Sequence, residues 1–187
     1  EAANFYTAVQ TFQTTLGRQV GVPIVSDSDA QAFLNAAVIT DTTQANAVNT
    51  LVTSLKSYGL WTKMKAIYPF VGGTAAQHRF NLKDPRTVAD AFYLDFYGGV
   101  THSNTGVSFS GGTGYANTFF NDKNLLAINN NHISVYTNTN GTSMSYPYVI
   151  GNYKSSTNSG LAIRTYGSYD NYMRFYNYKA NDIFNTL

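Results

Sequence analysis

The sequence predicts a mostly β chain, an antiparallel sandwich preceded by a helical N-terminal third. Three observations carry this expectation. Apolar residues recur at helical spacing as far as Gly59, and beyond it the period drops to two. From there on, short aromatic and β-branched runs are separated by clusters of Gly, Asn, Asp and Pro. Asn140-Gly141, between two such runs, is a specific hairpin signal.

The elements follow in order. Phe5, Val9, Phe12 and Leu16 form the apolar stripe of a first helix that ends at Gly17. No capping residue precedes it, and the chain starts at Glu1 without a methionine, so a processed product or a fragment of a longer protein is expected. Gly21 and Pro23 mark a module boundary within 20–26. Ser28 with Gln31 reads as a capping box, opening a short helix through Ala32, Phe33 and Ala36. Asp41 with Gln44 repeats the signal. The longer helix behind it carries Ala45, Val48, Leu51, Val52, Leu55 and Tyr58 on one face, with Gly59 as its stop. Strands are then expected over 64–70, 79–83, 91–97, 125–128, 132–137, 146–153, 161–166 and 172–178. The chain accordingly divides into a helix over 1–20, a two-helix segment over 21–59 and a sandwich over 60–187.

Composition narrows the function. A length of 187 residues suits one domain with a real core. Charged residues make up 12% of the chain, about half the usual share. Their place is taken by 20 Asn, 22 Thr, 14 Ser and 15 Gly, alongside 15 Tyr and 12 Phe. A net charge of +2, scattered along the chain, offers no basic stripe, so no nucleic-acid partner is expected. No apolar run approaches the roughly 20 residues of a membrane span, and no membrane insertion is expected. The lack of cysteine removes disulfides, thiolate zinc sites and Cys nucleophiles.

Catalytic and metal chemistry find little footing. Glycoside hydrolysis needs two carboxylates. Glu1 is the single glutamate, and Asp95, which alternates with Tyr93 and Tyr97, has no second carboxylate within two positions. His78, His102 and His132 lack ligand spacing, and no metal is assigned to them. His102, in Thr-His-Ser after Gly98-Gly99, is expected to brace a loop by a hydrogen bond. Calcium is the runner-up ion, on Asn121, Asp122 and Asn129–Asn131, against the simpler reading that these residues make turns. Gly111-Gly-Thr-Gly-Tyr115 lacks the phosphate-loop pattern and reads as a loop or turn. Tyr166, Tyr169, Asn171, Tyr172, Tyr176, Asn177 and Tyr178 cluster near the C-terminus. They suit either a glycan surface or a subunit interface, both of which favour aromatics beside neutral hydrogen-bonding groups.

Four segments also carry a resemblance. They are Gly59-Leu-Trp-Thr-Lys-Met-Lys-Ala-Ile-Tyr-Pro-Phe-Val-Gly-Gly73, His78-Arg-Phe-Asn-Leu-Lys-Asp-Pro85, Phe96-Tyr-Gly-Gly-Val-Thr-His-Ser103 and Gly114-Tyr-Ala-Asn-Thr-Phe-Phe-Asn121. In this order they resemble a family of bacteriophage virion proteins, tail-fibre or capsid-decorating components. The resemblance covers about 27–137, and later residues share only its strand-and-turn style. It implies a concanavalin-A-like jelly roll in a virion or extracellular setting. Residues 1–20 resemble the helix that closes such a sandwich at its C-terminal end, here placed first. That placement leaves two readings, tandem modules cut between repeats or a sandwich completed by another chain. The β region is also short for a full sandwich, which exposes unpaired edges. The function expected is a non-enzymatic structural subunit of a virion, tail fibre or other extracellular filament. It would assemble with itself or with other fibre subunits through tyrosine- and asparagine-rich β surfaces. The alternatives are a module binding host-surface glycans and a polysaccharide-degrading glycosidase.

Overall fold

The computed structural model describes residues 2–15, 19–109, 113–120, 132–137, 148–154, 159–164 and 174–178. The chain divides into two units, Glu1–Phe120 and Asn121–Leu187. The first unit contains α1 (Ala2–Thr15), α2 (Ser28–Ala37), α3 (Thr42–Ser57) and α4 (Ala75–His78). Its strands are β1 (Asp95–Tyr97), β2 (Val100–Ser103), β3 (Gly106–Phe109) and β4 (Tyr115–Asn117). They pair antiparallel as two separate ribbons, β1 with β4 and β2 with β3. In the second unit β5 (Tyr148–Lys154), β6 (Ser159–Arg164) and β7 (Arg174–Tyr178) form an antiparallel meander in that order.

The expected jelly-roll sandwich is therefore wrong. In the first unit helices of 14, 10 and 16 residues outweigh strands of three or four. The alternation over 64–70 does not come from a strand. That segment is irregular, with a bend at Lys65 and Phe70 at φ 49°, and it forms no ladder; Ala66–Phe70 are all half-buried, and Ile67 and Val71 lie against the α2–α3 core. The stretch over 79–83 is a turn closed by an isolated bridge between Asn81 and Asp84. Of 91–97, only Asp95–Tyr97 is strand, because Ala89–Ala91 forms a 3-10 turn and Phe92 sits at φ 56°. Residues 132–137 form no strand, and 125–128 lie outside the described residues. The last two expected strands and the one over 146–153 do correspond to β6, β7 and β5.

Both central helices arise where the sequence signals them, with a shifted cap. The N-cap of α2 is Asp27, whose carboxylate accepts from the backbone N–H of Asp29 and Ala30, and Ser28 is the first helical residue. Gln31 does not close a capping box. Its Oε1 accepts from Val25 N at 2.9 Å and its Nε2 donates to Pro23 O at 3.2 Å, binding the preceding loop. Asp41 caps α3 through Gln44 N at 2.8 Å, and Gly59, at φ 66°, follows the end of that helix. Lys56 of α3 reaches Asp27 at 2.7 Å and Asp29 at 2.6 Å, so one cation joins the start of α2 to α3. Burial pushes the Asp27 carboxyl up, but Lys56 and the two capping amides outweigh it and hold it below the ordinary range.

Ala30, Phe33, Leu34 and Ala37 of α2 meet Ala45, Val48 and Val52 of α3, with Ile39, Trp61 and Leu82 completing the cluster. Full burial of a side chain the size of Phe33 or Leu34 contributes about 1.5–3 kcal/mol. Beside this core lies Asn81, fully buried. Its Oδ1 accepts from Ile67 N at 2.9 Å and Lys83 N at 3.1 Å, and its Nδ2 donates to Ala91 O at 2.9 Å. One carboxamide thus holds three segments in the way a sheet ladder would.

Two stability predictions follow from these contacts. Val38 ends α2 at φ 51° and ψ 53°, a left-handed conformation that suits glycine and strains a β-branched residue. Since Val38 is 44% exposed, little packing is lost on substitution. Val38→Gly should raise the unfolding free energy by about 1 kcal/mol in urea titration. Asn81→Ala orphans the backbone groups of Ile67, Lys83 and Ala91 and should cost about 3–5 kcal/mol in the same measurement.

Candidate functional site

The segment most distinctive in sequence, 59–121, builds an interior polar knot and an exposed face on the same ribbons. The knot starts from α4. Thr74 caps this helical turn, Gln77 Oε1 accepts from Gly73 N at 3.0 Å, and Gln77 Nε2 donates to Val38 O at 3.2 Å. These bonds fix α4 against the end of α2 and carry His78 inward, where it is 2% exposed. His102 reaches it from β2. The two Nδ1 atoms are 3.0 Å apart, with Phe70 edge-on to His78 and Phe96 edge-on to His102.

This contact fixes the protonation state. One Nδ1 must donate and the other must accept. His78 Nε2 is buried and has no hydrogen-bond partner among the described residues. A bare acceptor nitrogen there costs less than an orphaned N–H, so His78 carries its proton on Nδ1 and donates to His102. The same reasoning speaks against a metal between the two Nδ1 atoms, since His78 would then bury an unpaired Nε2–H. Among the described residues, no group of three or more His, Asp or Glu is placed to hold a metal ion.

The six aspartates among the described residues all have structural partners. Asp27 and Asp41 cap helices, and Asp29 pairs with Lys56. Asp84 and Asp90 face Arg86, with Asp84 in the closer contact. Asp95 accepts from the Tyr97 hydroxyl at 2.8 Å and lies 3.9 Å from the Arg79 guanidinium, which itself covers the Tyr93 ring at 4.8 Å. A shallow depression of about 490 Å³ opens between the end of α2 and α4, but alanines and Phe80 make up much of its wall. The amide of Gln77 there is already bound to Gly73 and Val38.

The exposed face belongs to β1 and β4. The register sets Asp95 opposite Asn117, Phe96 opposite Ala116 and Tyr97 opposite Tyr115. Alternation turns Phe96 inward onto His102, leaving Asp95, Tyr97, Tyr115 and Asn117 on the other side. Tyr97 and Tyr115 stack at 5.0 Å and 15°, and they are 42% and 57% exposed. Gly98 makes the turn possible. It sits at φ 68°, and a Cβ there would run into the carbonyl oxygen of Thr113.

The sequence-stated candidates are placed as follows. His102 lies on β2 rather than in a loop, and its partner is His78. His132 belongs to the second unit and is exposed. Tyr176, Asn177 and Tyr178 lie on β7, opposite Ala162, Leu161 and Gly160 of β6. Tyr166, Tyr169, Asn171 and Tyr172 lie outside the described residues, as do the calcium candidates Asn121, Asp122 and Asn129–Asn131 and the Asn140-Gly141 hairpin. Sequence reasoning missed the β1–β4 face because Gly111–Tyr115 reads as a loop, although Tyr115 and Asn117 alternate as strand residues do.

Burial, reinforced by the charge of His102, lowers the His78 pKa from 6.5 to about 4, and burial lowers that of His102 too. The unfolded chain therefore binds more protons in this interval. The stabilising contribution is whole above pH 6.5 and is lost as pH falls toward about 4. Its size for His78 is about 3 kcal/mol. Asp27 loses its contribution only at pH below its ordinary 3.8, which separates the two effects. Urea midpoints of the wild type should fall between pH 6.5 and 4, and His78→Phe should flatten most of that slope.

No family model, curated protein or solved structure matches the chain.

Proposed function

We propose that this chain is a non-enzymatic structural subunit of a virion, tail fibre or other extracellular filament, working by association with copies of itself or with other subunits. The observation that carries the reading is the bare stripe of α1. Phe5, Val9 and Phe12 fall on one helical face and are 74%, 36% and 63% exposed. The helix Ala2–Thr15 has no charged residue. Thr7 and Thr11 turn their hydroxyls back onto the carbonyls of Ala3 and Thr7, each at 2.9 Å. Such a helix is poorly suited to water and well suited to cover by another apolar surface.

Magnitudes favour repetition over a single strong pair. Covering one Val and two Phe side chains yields about 5 kcal/mol, near the low end of the about 4–15 kcal/mol that association costs in lost freedom. One stripe pairs weakly, whereas a lattice of subunits adds further contacts at no new loss of freedom per protomer. Engagement of the described aspartates in caps and ion pairs supports a structural role over hydrolysis. The resemblance of about 27–137 to phage virion components supports the choice of particle.

Sedimentation velocity of the intact chain tests the reading. Association that rises with concentration is expected, and Phe5→Asp with Phe12→Asp should return the chain to a folded monomer. A wild-type chain that stays monomeric at every concentration reached would overturn it. A micrograph of the native source showing the chain in a filament, fibre or capsid would identify the particle.

A further inference from the structure

The outward face of the β1–β4 ribbon carries chemistry that neither the core nor the α1 stripe uses. Its four residues form two cross-strand pairs, Tyr97 with Tyr115 and Asp95 with Asn117. Two residues along a strand separate the pairs, about 7 Å. At one end are two stacked phenol rings, and at the other a carboxylate faces a carboxamide.

Each polar group is oriented by its surroundings. Phe119 N donates to Asn117 Oδ1 at 2.9 Å, which assigns the amide oxygen to the backbone and leaves the NH2 on the exposed side. Phe119 holds this turn at φ 53°, a left-handed conformation unusual for a bulky residue, and its ring stacks on Tyr93 at 4.9 Å. Tyr97 donates to Asp95 Oδ2 at 2.8 Å. The other oxygen, Oδ1, is 3.9 Å from Arg79, close enough to balance charge and too far for a hydrogen bond.

We propose that this face binds a neutral glycan. A pyranose offers one apolar C–H face and a rim of hydroxyls, each both donor and acceptor. The C–H face stacks on Tyr115, the more exposed ring, while adjacent hydroxyls donate to Asp95 and accept from the Asn117 NH2. Charge selects the class. The Asp95 carboxylate is already balanced by Arg79, so the face has no net charge to attract a phosphate or an acidic sugar. The proposal stands or falls independently of the α1 assembly reading.

The test is titration of the intact chain with neutral gluco-, manno- and galacto-oligosaccharides, read by saturation-transfer and amide NMR. Binding should transfer saturation to sugar ring protons and move the amides of 95–97 and 115–117. Tyr115→Ala should weaken affinity at least about tenfold, and Asn117→Asp should weaken it by setting two carboxylates side by side. Tyr58→Ala, at a 76% exposed tyrosine after α3, should leave it unchanged. No shift at these amides with any of the three sugar classes overturns the proposal. So does unaltered affinity in a folded Tyr115→Ala chain. Shifts at the same amides that grow with protein concentration in the absence of sugar would instead assign the face to a second copy, and would equally overturn it.

Discussion

The buried carboxamide of Asn81 is the constraint on which the first unit depends. The stretch over 64–70 is irregular and half-buried over most of its length, so its backbone groups need partners, and among the described residues it pairs with no strand. Asn81 supplies that partner with Oδ1 on Ile67 N, while Leu82 N donates to Ile67 O at 2.8 Å. The same side chain reaches Ala91 O, the residue that opens the path into β1. Remove this bridge and Ile67, Lys83 and Ala91 lose the one side chain that joins their three segments.

Asn81 is the deepest case of a device used repeatedly. Gln31 binds the loop before α2. Gln44 leaves the start of α3 to accept from Gly72 N at 2.8 Å and to donate to Asn104 O at 3.2 Å, sixty residues away. Asn49 accepts from Asp27 N at 3.0 Å, and Gln77 joins Gly73 to Val38. A carboxamide carries acceptor and donor on one planar group, so it can serve two backbone segments that never form a ladder. These clips explain how so much irregular backbone packs with few strands.

Much of the helical region was legible in the sequence because its signals are local. The stripe of α3, its Asp41 cap and Gly59 are all read within a few residues. The α2 cap was misplaced by one because Asp27 and Ser28 are both good caps, and only the turn of the backbone decides between them. The sandwich was misread for a different reason. Apolar alternation marks a strand only where every second residue turns to one buried face, and here Ala66–Phe70 are all half-buried while Ile67, outside the alternating set, packs on the helical core. The contact of His78 with His102 joins α4 to β2 across 24 residues, a distance at which spacing says nothing. The β1–β4 pairing was hidden likewise, since eighteen positions separate Tyr97 from its partner Tyr115.

The amide clips place neutral groups where charged ones would be costly. A group that bridges two buried backbone segments must be desolvated, and an ionised one would cost several kcal/mol more to bury than a neutral amide. Asn81 is such a bridge and is fully buried, while Thr hydroxyls turn back on helix carbonyls, as at Thr50 and Thr53. The same preference continues outward. The exposed stripe of α1 is uncharged, and on the β1–β4 face the one carboxylate is balanced by Arg79. A surface of this kind gives little long-range steering to a partner. It favours short-range contacts, in which apolar stripes close on one another and neutral donors and acceptors meet hydroxyls or amides directly.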